Sequence, residues 1–424
     1  MAPSVDKSNG ATENGNLVKQ MNSSSLIKHL IPEDEQSPVP GLDDPVRMTQ
    51  NATTAHILTA KWTIAEGWAD PEIKRYGNIE LPPTASVLHY ATSCFEGMKA
   101  YRGFDNKLRL FRPWLNCARM RESNERVSLP DFDPEELLKL ISTFVATEGP
   151  RWLPDAGSTF YVRPAMVGSG SALGINRPGE ALFFVFAALF PQSKPGSINP
   201  GIRLITSQPS QIRAWPGGFG NTKVGANYGP AMTAQVRARQ NDCSQTLWLF
   251  GDSNIVTEAG ASNFFVVWRR SDNKALELVT CSDETGVILN GITRRSVLEI
   301  ARERLGSQDV AKQGSGDLEA LSVIERPFSI DEVVKAHQEG RLVEAFVSGT
   351  AMFISPVSQI IHEDKFIDFP TTQNEGGQKV TVSKYAKTIK LWLEDTIYGR
   401  EEHPWAFVVD ETRDDLAKKA KLID

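Results

Sequence analysis

A single lysine, Lys223, lies in a segment of small and turn-forming residues that covers residues 217–228. Glycines in such a segment permit positive φ angles and let the backbone approach a flat ligand closely. A lysine amine in a desolvated, electropositive setting has a lowered pKa and can form a Schiff base with a carbonyl compound. The same composition is also typical of a flexible surface loop with an ordinary solvated lysine, so the segment alone leaves both interpretations open.

Three other segments have the composition of anion-binding sites. Gly291 and Thr293 lie at the predicted start of a helix, where free backbone N–H groups and the helix dipole attract phosphate. Residues 348–351 combine small side chains with hydroxyl groups that suit an oxyanion. Arg119 belongs to a group of arginines, and a guanidinium can bind phosphate through two hydrogen bonds. Each signal is weak alone, because glycine turns are common and a group of arginines is usually a solvated surface.

Glu258 is the acidic candidate, since it lies among the small residues of 256–263. A carboxylate in such a place could accept a hydrogen bond from a protonated ring nitrogen. The alternative is a turn carboxylate that binds its own backbone, a frequent arrangement in loops.

The elements that must position these residues follow from the apolar pattern. Runs of apolar and β-branched residues predict strands at 87–90, 108–111, 181–190, 246–250 and 263–268.

Helix signals follow a different pattern. Asp133, Pro134 and Glu136 predict a helix start with a capping box. Further helices are predicted from Thr293, as the cap, to about residue 305, and over residues 229–241 and 384–398.

The length of 424 residues predicts two domains, because one core rarely serves so long a chain. The segment 191–200 contains several Pro and Ser residues and is the predicted linker. It separates a smaller N-terminal α/β domain at 46–190 from a larger C-terminal α/β domain at 201–424. Residues 1–45, rich in Ser, Asn, Gly and charged residues, predict a disordered leader.

Composition narrows the classes of function. With 40% hydrophobic and 23% charged residues the chain is typical of soluble globular proteins. The net charge is -6 and no long basic run is present, so neither nucleic acid nor an anionic membrane is an expected partner. No apolar run is long enough to span a bilayer. Four scattered cysteines without CxxC or metal-ligand spacing predict buried reduced thiols and no metal site.

The first 28 residues contain Asp6 and Glu13 but no arginine, whereas mitochondrial presequences are usually rich in Arg and poor in acids. The expected compartment is therefore the cytosol, with the mitochondrion as the alternative.

In this order and with these gaps, the segments resemble the branched-chain amino-acid aminotransferases, in a eukaryotic, fungal-like form. These are pyridoxal-phosphate (PLP) enzymes of fold type IV, with a mixed α/β two-domain architecture. The similarity runs from about residue 50 to residue 402. The matching stretches are residues 95–103, 109–113, 161–164, 213–215, 223–228, 257–263, 291–295 and 348–351.

The resemblance implies a role for each candidate. Lys223 is similar to the catalytic lysine that binds PLP covalently and moves the proton during transamination. Glu258 resembles the carboxylate that keeps the pyridine nitrogen protonated, and Tyr228 resembles the tyrosine that hydrogen-bonds the cofactor 3-oxygen. The residues that resemble the phosphate ligands are Arg119, Ile292 and Thr293 through their backbone amides, and Thr350.

The resemblance also implies a substrate site. The backbone N–H groups of Thr350 and Ala351 would receive the substrate α-carboxylate. Arg163 resembles the arginine that accommodates the distal carboxylate of glutamate. The residues that resemble the aromatic walls of the side-chain pocket are Phe95, Tyr90 and Tyr161.

The implied reaction transfers the amino group of leucine, isoleucine or valine to 2-oxoglutarate in two half-reactions. The products are the branched-chain 2-oxo acids and L-glutamate, and a homodimer is expected. Whether the enzyme serves biosynthesis or degradation stays open.

Two alternatives stay open. One is another fold type IV enzyme, such as a D-amino-acid or (R)-amine transaminase or an aminodeoxychorismate lyase, whose chains are typically shorter. The other is a non-catalytic PLP-binding paralogue. This sequence also departs from its relatives in three places: residues 352–355 replace the CxxC of mammalian members, Ala261 replaces a commoner threonine, and residues 219–222 differ. These departures affect the expected substrate range more than the reaction class.

Overall fold

A computed structural model describes residues 18–171, 173–192, 194–197, 199–306, 318–373 and 379–411. Two large mixed sheets with helices packed on their faces organise this part of the chain. The architecture is therefore the mixed α/β fold that the sequence predicts.

The first sheet contains ten strands, whose order along the main path begins with Ile27–Lys28 and ends with Ala406–Val408. Nine of them lie in the first half of the chain, and the tenth is Ala406–Val408. The nine are β1 (Ile27–Lys28), β2 (His56–Thr63), β3 (Gly67–Trp68), β4 (Glu72–Arg75), β5 (Ser93–Phe95), β6 (Met98–Arg102), β7 (Leu108–Phe111), β8 (Thr159–Gly168) and β9 (Glu180–Ala188).

The second sheet contains nine strands in the described chain. They are β10 (Ile202–Thr206), β11 (Gln245–Phe250), β12 (Ile255–Ala259), β13 (Ser262–Arg269), β14 (Leu276–Thr280), β15 (Leu321–Glu325), β16 (Leu342–Gly349), β17 (Phe353–His362) and β18 (Lys365–Asp368). The order β12-β11-β10-β17-β16-β13, with an additional β12–β13 pairing, closes six of these strands into a ring. A separate pair consists of β19 (Thr371–Gln373) and β20 (Lys379–Thr381).

Eight α-helices connect and cover the sheets in the described residues. They are α1 (Val46–Thr49), α2 (Ser86–Tyr90), α3 (Pro113–Arg126), α4 (Pro134–Trp152), α5 (Ala231–Gln240), α6 (Ile292–Leu305), α7 (Ile330–Gln338) and α8 (Lys384–Ile397). Short 3-10 helices cover Ser23–Ser25, Glu33–Glu35, Gly225–Tyr228 and Asp283–Thr285.

Alternation along β16 shows how the second sheet is covered on both faces. Phe346 belongs to the apolar cluster formed with α6 and α8, whereas Val347 belongs to the cluster formed with α7. Successive side chains of a strand point to opposite faces, so β16 is buried on both. Burial of one such side chain contributes about 1.5–3 kcal/mol. The turn that follows β16 is therefore anchored by a rigid strand.

Helix α8 is held at its N-terminus by a buried carboxylate from β16. Glu344 is fully buried and accepts the backbone N–H groups of Tyr385 (3.1 Å) and Ala386 (2.7 Å). Free N–H groups in the first turn of a helix favour such an acceptor. Burial raises the pKa of Glu344 to about 7, and the donated hydrogen bonds oppose this shift.

Most predicted elements are present, and the residues 87–90 are an exception. They belong to the single-turn helix α2, and Ala91 ends it in a left-handed conformation with φ of 51°. Leu88 and Tyr90 are exposed, so their apolar character does not reflect burial in a sheet. A short apolar run cannot distinguish a strand from a helical turn by pattern alone.

Two predicted helix caps also differ. Asp133 does cap α4, but Glu136 accepts the backbone N–H of Ser23 (2.6 Å) instead of completing a capping box. The N-cap of α6 is Gly291 and not Thr293, which lies inside the first turn.

The predicted leader is wrong for residues 18–45. β1 pairs with β4 in parallel register, and Met21 belongs to the core of the first sheet. Backbone pairing and apolar burial therefore order a segment whose composition suggests disorder. Residues 1–17 lie outside the described residues.

The chain passes from the first sheet to the second between Ala188 and Ile202, a stretch that includes the predicted linker. The strand Ala406–Val408 then returns to pair with β7. The predicted C-terminal domain thus contributes to both sheets, and the division into two domains stays a prediction.

All four cysteines are free and buried, as predicted. Among the described helices, none has the length and apolar content that a bilayer span requires.

Candidate active site

Lys223 lies in the segment between β10 and α5, and its backbone is fixed on both sides. Its N–H donates to Ser123 Oγ on α3 (2.9 Å), and its carbonyl accepts from the N–H of Phe95 on β5 (3.1 Å). Asn227 closes the segment by donating to the carbonyls of Phe219 (2.6 Å) and Thr222 (2.7 Å). These hydrogen bonds tie the segment to α3 and β5, which favours an ordered site over a flexible surface loop.

The amine of Lys223 faces two aromatic side chains. Nζ donates to the Tyr228 hydroxyl (3.0 Å) and lies 4.6 Å from the centroid of the Phe95 ring. The two rings are 5.1 Å apart. Gly225 packs closely on β5 here, because a Cβ at that position would lie 2.4 Å from Ser93 Oγ and would require that hydroxyl to move. The sequence predicts that Lys223 and Tyr228 belong to one site, and the structure places their side chains within hydrogen-bond distance.

Glu258 on β12 is buried and does not bind its own turn. Oε1 accepts from Asn263 Nδ2 (3.1 Å) and from the backbone N–H of Leu289 (3.1 Å), while Oε2 pairs with Arg213. Burial raises the pKa of the Glu258 carboxyl, and the Arg213 charge opposes that shift. The alternative of a turn carboxylate is therefore wrong for this residue.

A cavity of about 310 Å³ lies between Glu258 and Tyr228. Glu258 and Tyr228 line it together with Arg213, Trp248 and Leu289. A flat ring in this cavity would lie near the Glu258 carboxylate and the Tyr228 hydroxyl. Lys223, which donates a hydrogen bond to that hydroxyl, lies next to it in the structure. Arg213 was recognised in the sequence only as part of a matching stretch, and no role was assigned to it.

The N-terminus of α6 presents free donors beside the turn that follows β16. Gly291 provides no side-chain cap, and no acceptor among the described residues binds the N–H of Ile292 or Thr293. A small recess brings both residues together with Thr350 and Asn116. Free N–H groups at a helix N-terminus suit a phosphate. The structure therefore brings Ile292, Thr293 and Thr350 together as the sequence predicts.

Arg119 on α3 reaches the same end of α6, although its strongest partner is a carboxylate. Nε and Nη2 donate to the two oxygens of Glu96 (2.7 and 2.8 Å), and Nη1 donates to the Asn290 carbonyl (3.3 Å). Burial alone would raise the pKa of Glu96, but the Arg119 charge and hydrogen bonds hold it below its ordinary value. Asn116 donates to the same carboxylate (2.8 Å).

Sequence reasoning missed Glu96 and Asn116 as site residues. The available signal for Glu96 was its position between Phe95 and Gly97 in a matching stretch.

Phe95, Tyr161 and Arg163, three residues that the resemblance assigns to the side-chain pocket, lie in contact with one another. The Arg163 guanidinium lies 4.6 Å from the Phe95 ring centroid and 5.1 Å from that of Tyr161, and it donates to the Tyr161 hydroxyl (3.2 Å). Tyr161 stacks on Phe190 with centroids 4.6 Å apart. Gly97 is required beside this wall, because a Cβ there would lie 1.8 Å from the Tyr161 hydroxyl oxygen.

No acidic side chain pairs with Arg163 in the described part of the chain, and its Nε is buried without a hydrogen-bond partner. A cation on an aromatic wall without a carboxylate partner is suited to bind an anionic ligand.

Tyr90 is the predicted pocket residue that the structure places elsewhere. It lies on α2, is 39% exposed, and its hydroxyl donates to the Leu173 carbonyl. No contact found among the described residues joins it to Phe95 or Tyr161. The reason is that α2 turns away from β5 at Ala91, so Tyr90 does not share a sheet with the other two.

The hydrogen-bonding and reactive groups of this site fit PLP. Uncapped N–H groups of Ile292 and Thr293 suit its phosphate, and buried Glu258 suits its ring nitrogen. Lys223 and Tyr228 suit its carbonyl and phenolic oxygen. When bound, PLP supplies an electron-accepting ring that stabilises negative charge at the substrate α-carbon.

The family of the chain follows from its sequence comparisons, and the fold and the arrangement of the site agree with it. A family model described as Amino-transferase class IV matches residues 93–360, so the chain belongs to that family.

Three curated relatives carry the name branched-chain-amino-acid aminotransferase. The cytosolic protein of Mus musculus is 40% identical over 85% of this chain and 88% of its own. The cytosolic protein of Saccharomyces cerevisiae is 40% identical, with 84% and 90% covered. The mitochondrial protein of Mus musculus is 39% identical, with 84% of each chain covered.

Solved structures share the fold. A T.th. branched-chain amino acid aminotransferase complexed with N-(5'-phosphopyridoxyl)-L-glutamate has a TM-score of 0.62 at 24% identity, covering 85% of this chain and 100% of that one. The Escherichia coli enzyme has a TM-score of 0.61 at 21% identity, with 84% and 99% covered.

Proposed function

We propose that this aminotransferase uses PLP to transfer the amino group of leucine, isoleucine and valine to 2-oxoglutarate. The products are the branched-chain 2-oxo acids and L-glutamate. The observation that carries the proposal is the position of Arg163, whose guanidinium lies on the aromatic wall of Phe95 and Tyr161 and has no acidic partner among the described residues. A pocket that is apolar but contains one cation suits both leucine and glutamate. The names of the relatives support the same reaction.

In this proposal the cofactor phosphate binds to the N–H groups of Ile292 and Thr293, with Thr350 and Arg119 beside it. The Glu96 carboxylate holds the Arg119 guanidinium from behind through two hydrogen bonds. Arg119 Nη1 already reaches the Asn290 carbonyl just before α6. A bidentate pair of this kind fixes the plane of the guanidinium and reduces the entropy lost on binding an anion.

Lys223 is the residue that we assign to covalent attachment and to proton transfer. Its amine donates to the Tyr228 hydroxyl (3.0 Å), and this hydrogen bond orients the amine. Glu258, with its pKa raised by burial and its second oxygen facing Arg213, can accept a hydrogen bond from a protonated ring nitrogen. The Phe95 ring, whose centroid lies 4.6 Å from Lys223 Nζ, would limit the access of water to the amine.

The substrate α-carboxylate is assigned to the backbone N–H groups of Thr350 and Ala351. Neither group has an acceptor among the described residues. The branched side chain then packs on Phe95 and Tyr161, where specificity depends mainly on shape. The glutamate side chain instead pairs its distal carboxylate with Arg163.

A panel of amino donors with 2-oxoglutarate tests the proposal. We expect leucine, isoleucine and valine to react well ahead of alanine and aspartate, measured as glutamate formed per unit time. If D-alanine or an (R)-amine were the best donor, the substrate assignment would be wrong while the family would stand.

We also propose that the protein forms a homodimer through the apolar surface around α2. Four apolar side chains of α2 and of residues 173–175 are exposed, and the Tyr90 hydroxyl joins the two segments by donating to the Leu173 carbonyl: Leu88, Tyr90, Leu173 and Ile175. Exposed apolar patches of this kind are frequent at protein interfaces. Sedimentation should give a dimer mass that falls to the monomer mass in an L88E/I175E variant. A monomeric wild-type protein would contradict the proposal.

The compartment stays a prediction, because relatives with both cytosolic and mitochondrial names match at nearly equal identity.

A further inference from the structure

The turn between β16 and β17 is held by contacts at each of its three residues. Two come from the first sheet and one comes from β11. The contacts join Thr350 Oγ1 to the Gly97 carbonyl (3.2 Å), Lys99 Nζ to the Ala351 carbonyl (3.0 Å) and Gln245 Nε2 to Met352 Sδ (2.9 Å).

The contact from Lys99 is the one of the three that includes a charge. Lys99 lies on β6, and its register partner on β8 is Tyr161, the aromatic wall of the side-chain pocket. Hydrogen bonds that involve a charged group are about twice as strong as neutral ones. Lys99 therefore connects the strand pair that forms the pocket to the turn assigned to the substrate α-carboxylate.

Behind the turn, Lys99 faces a small polar cavity of about 110 Å³. Lys390 and Glu394 of α8 form an ion pair there (2.8 Å), and Lys390 also donates to the Ser197 carbonyl. Because Lys390 and Glu394 already neutralise each other, Glu394 only partly compensates the Lys99 charge. Burial lowers the pKa of Lys99 to about 8, Lys390 adds to this shift and Glu394 opposes it.

We propose that Lys99 is a positioning residue for substrate binding, which holds the Thr350–Ala351 turn and favours a carboxylate bound to its N–H groups. The proposal rests on the assignment of that turn under the proposed function. The ammonium fixes the Ala351 carbonyl on the side of the turn that faces α8. It also places a positive charge at the turn that carries the two N–H groups, 3.0 Å from the Ala351 carbonyl oxygen. A charge in a partly desolvated place acts on a nearby anion with little screening.

The matched pair of variants is K99M and K107M. Methionine keeps most of the apolar stem of lysine and removes its charge, and Lys107 is a lysine of the β6–β7 hairpin whose side chain is 62% exposed. Two probes separate the carboxylate from the side chain of the substrate. 4-Methylpentanoate has the branched chain and a carboxylate, whereas 3-methylbutylamine has the branched chain and no carboxylate.

We expect K99M to weaken binding of 4-methylpentanoate to the PLP-loaded protein roughly tenfold, at the lower end of what a hydrogen bond to a charged group contributes. Binding of 3-methylbutylamine should change less than twofold, and KM for 2-oxo acids should rise while kcat changes little. K107M should behave as wild type. K99R retains the charge and the donor, so it should restore most of the affinity for 4-methylpentanoate.

The pH dependence of the wild-type protein gives a second readout. The other titratable groups that face Lys99 are Tyr101 on β6, Tyr398 after α8, and the Lys390–Glu394 pair. Burial raises the pKa of both tyrosines, so neither ionises near pH 8. Affinity for 4-methylpentanoate should therefore fall as the pH rises through about 8, and this fall should be absent in K99M.

These experiments distinguish failure of the proposed function from failure of the role proposed for Lys99. If wild-type protein does not transaminate leucine, the proposed function fails before any variant is made. If wild-type protein is active and K99M binds 4-methylpentanoate as tightly, or loses both probes equally, the role of Lys99 is wrong. If K99M does not fold, the wild-type pH profile decides, and a constant affinity from pH 7 to pH 9 overturns the inference.

Discussion

Replacing Arg163 by alanine should separate the two kinds of substrate that share one pocket. Leucine needs the shape of the aromatic wall, to which Phe95 and Tyr161 contribute, so its half-reaction should change little. Glutamate brings a second carboxylate into that apolar wall, which is costly unless a cation pairs with it. Because no acidic side chain pairs with Arg163 in the described chain, the guanidinium is available for this purpose.

The magnitude follows from the partial burial of Arg163. Loss of one partner from a fully desolvated charged pair costs about 2–5 kcal/mol. Arg163 is half-buried, so solvent screening reduces this figure, and we expect at least ~1.4 kcal/mol, which is a tenfold change in rate. The glutamate half-reaction of R163A should therefore slow at least ~tenfold relative to the leucine half-reaction.

Single-turnover rates with leucine and with glutamate, measured on the same folded R163A protein, test this expectation. R177A is the matched control, because Arg177 is exposed and its guanidinium lies over Trp62 (5.5 Å to the ring centroid) and not over Phe95 or Tyr161. Equal losses for both substrates would refute the reasoning and remove Arg163 from the substrate site.

Three further perturbations test separate parts of the site and fold. E258Q removes a buried charge and should slow the leucine half-reaction at least ~hundredfold, as removal of a single electrostatic contact in an active site often does; an unchanged single-turnover rate would contradict this. R119Q should weaken PLP binding at least ~tenfold in a fluorescence titration of the apoprotein, and equal affinity would contradict its phosphate role. Glu344 has its folded pKa raised to about 7, so its contribution to stability is present below its unfolded pKa and is lost as the pH rises through 7. The free energy of unfolding of E344Q minus that of wild type should therefore increase by about 2 kcal/mol from about pH 5 to pH 8, as measured by urea titration. If this difference is the same at both pH values, the expectation is contradicted.

The sequence was most informative where local pattern and burial agree. The run at 181–190 is apolar throughout because β9 lies between β2 and β8 in the interior of its sheet. The run at 87–90 has similar composition but forms the exposed turn α2, which only the surrounding structure determines. Residues 18–45 have a composition typical of disorder but are ordered in the structure. Their ordered conformation depends on the pairing of β1 with β4, which composition cannot reveal.

In the site as well, features that depend on local sequence could be predicted, and features that depend on the packing of distant elements could not. Lys223 and Tyr228 are five residues apart, and the segment that joins them could be recognised as one unit. The pairs Arg119–Glu96 and Arg213–Glu258 join residues 23 and 45 positions apart, so each depends on how two elements pack. A matching stretch identifies such residues without showing their partners. The roles of all these residues in catalysis stay predictions.

In the proposed function, Lys223 carries PLP and exchanges it with an amino-acid substrate. The most direct test is the absorbance spectrum of PLP-reconstituted wild-type and K223A protein before and after addition of leucine. We expect wild-type protein to show the visible absorbance band of lysine-bound cofactor. Addition of leucine should remove this band and release 4-methyl-2-oxopentanoate. We expect no such band and no oxo acid from K223A. Oxo acid released by K223A without added amine would contradict the claim.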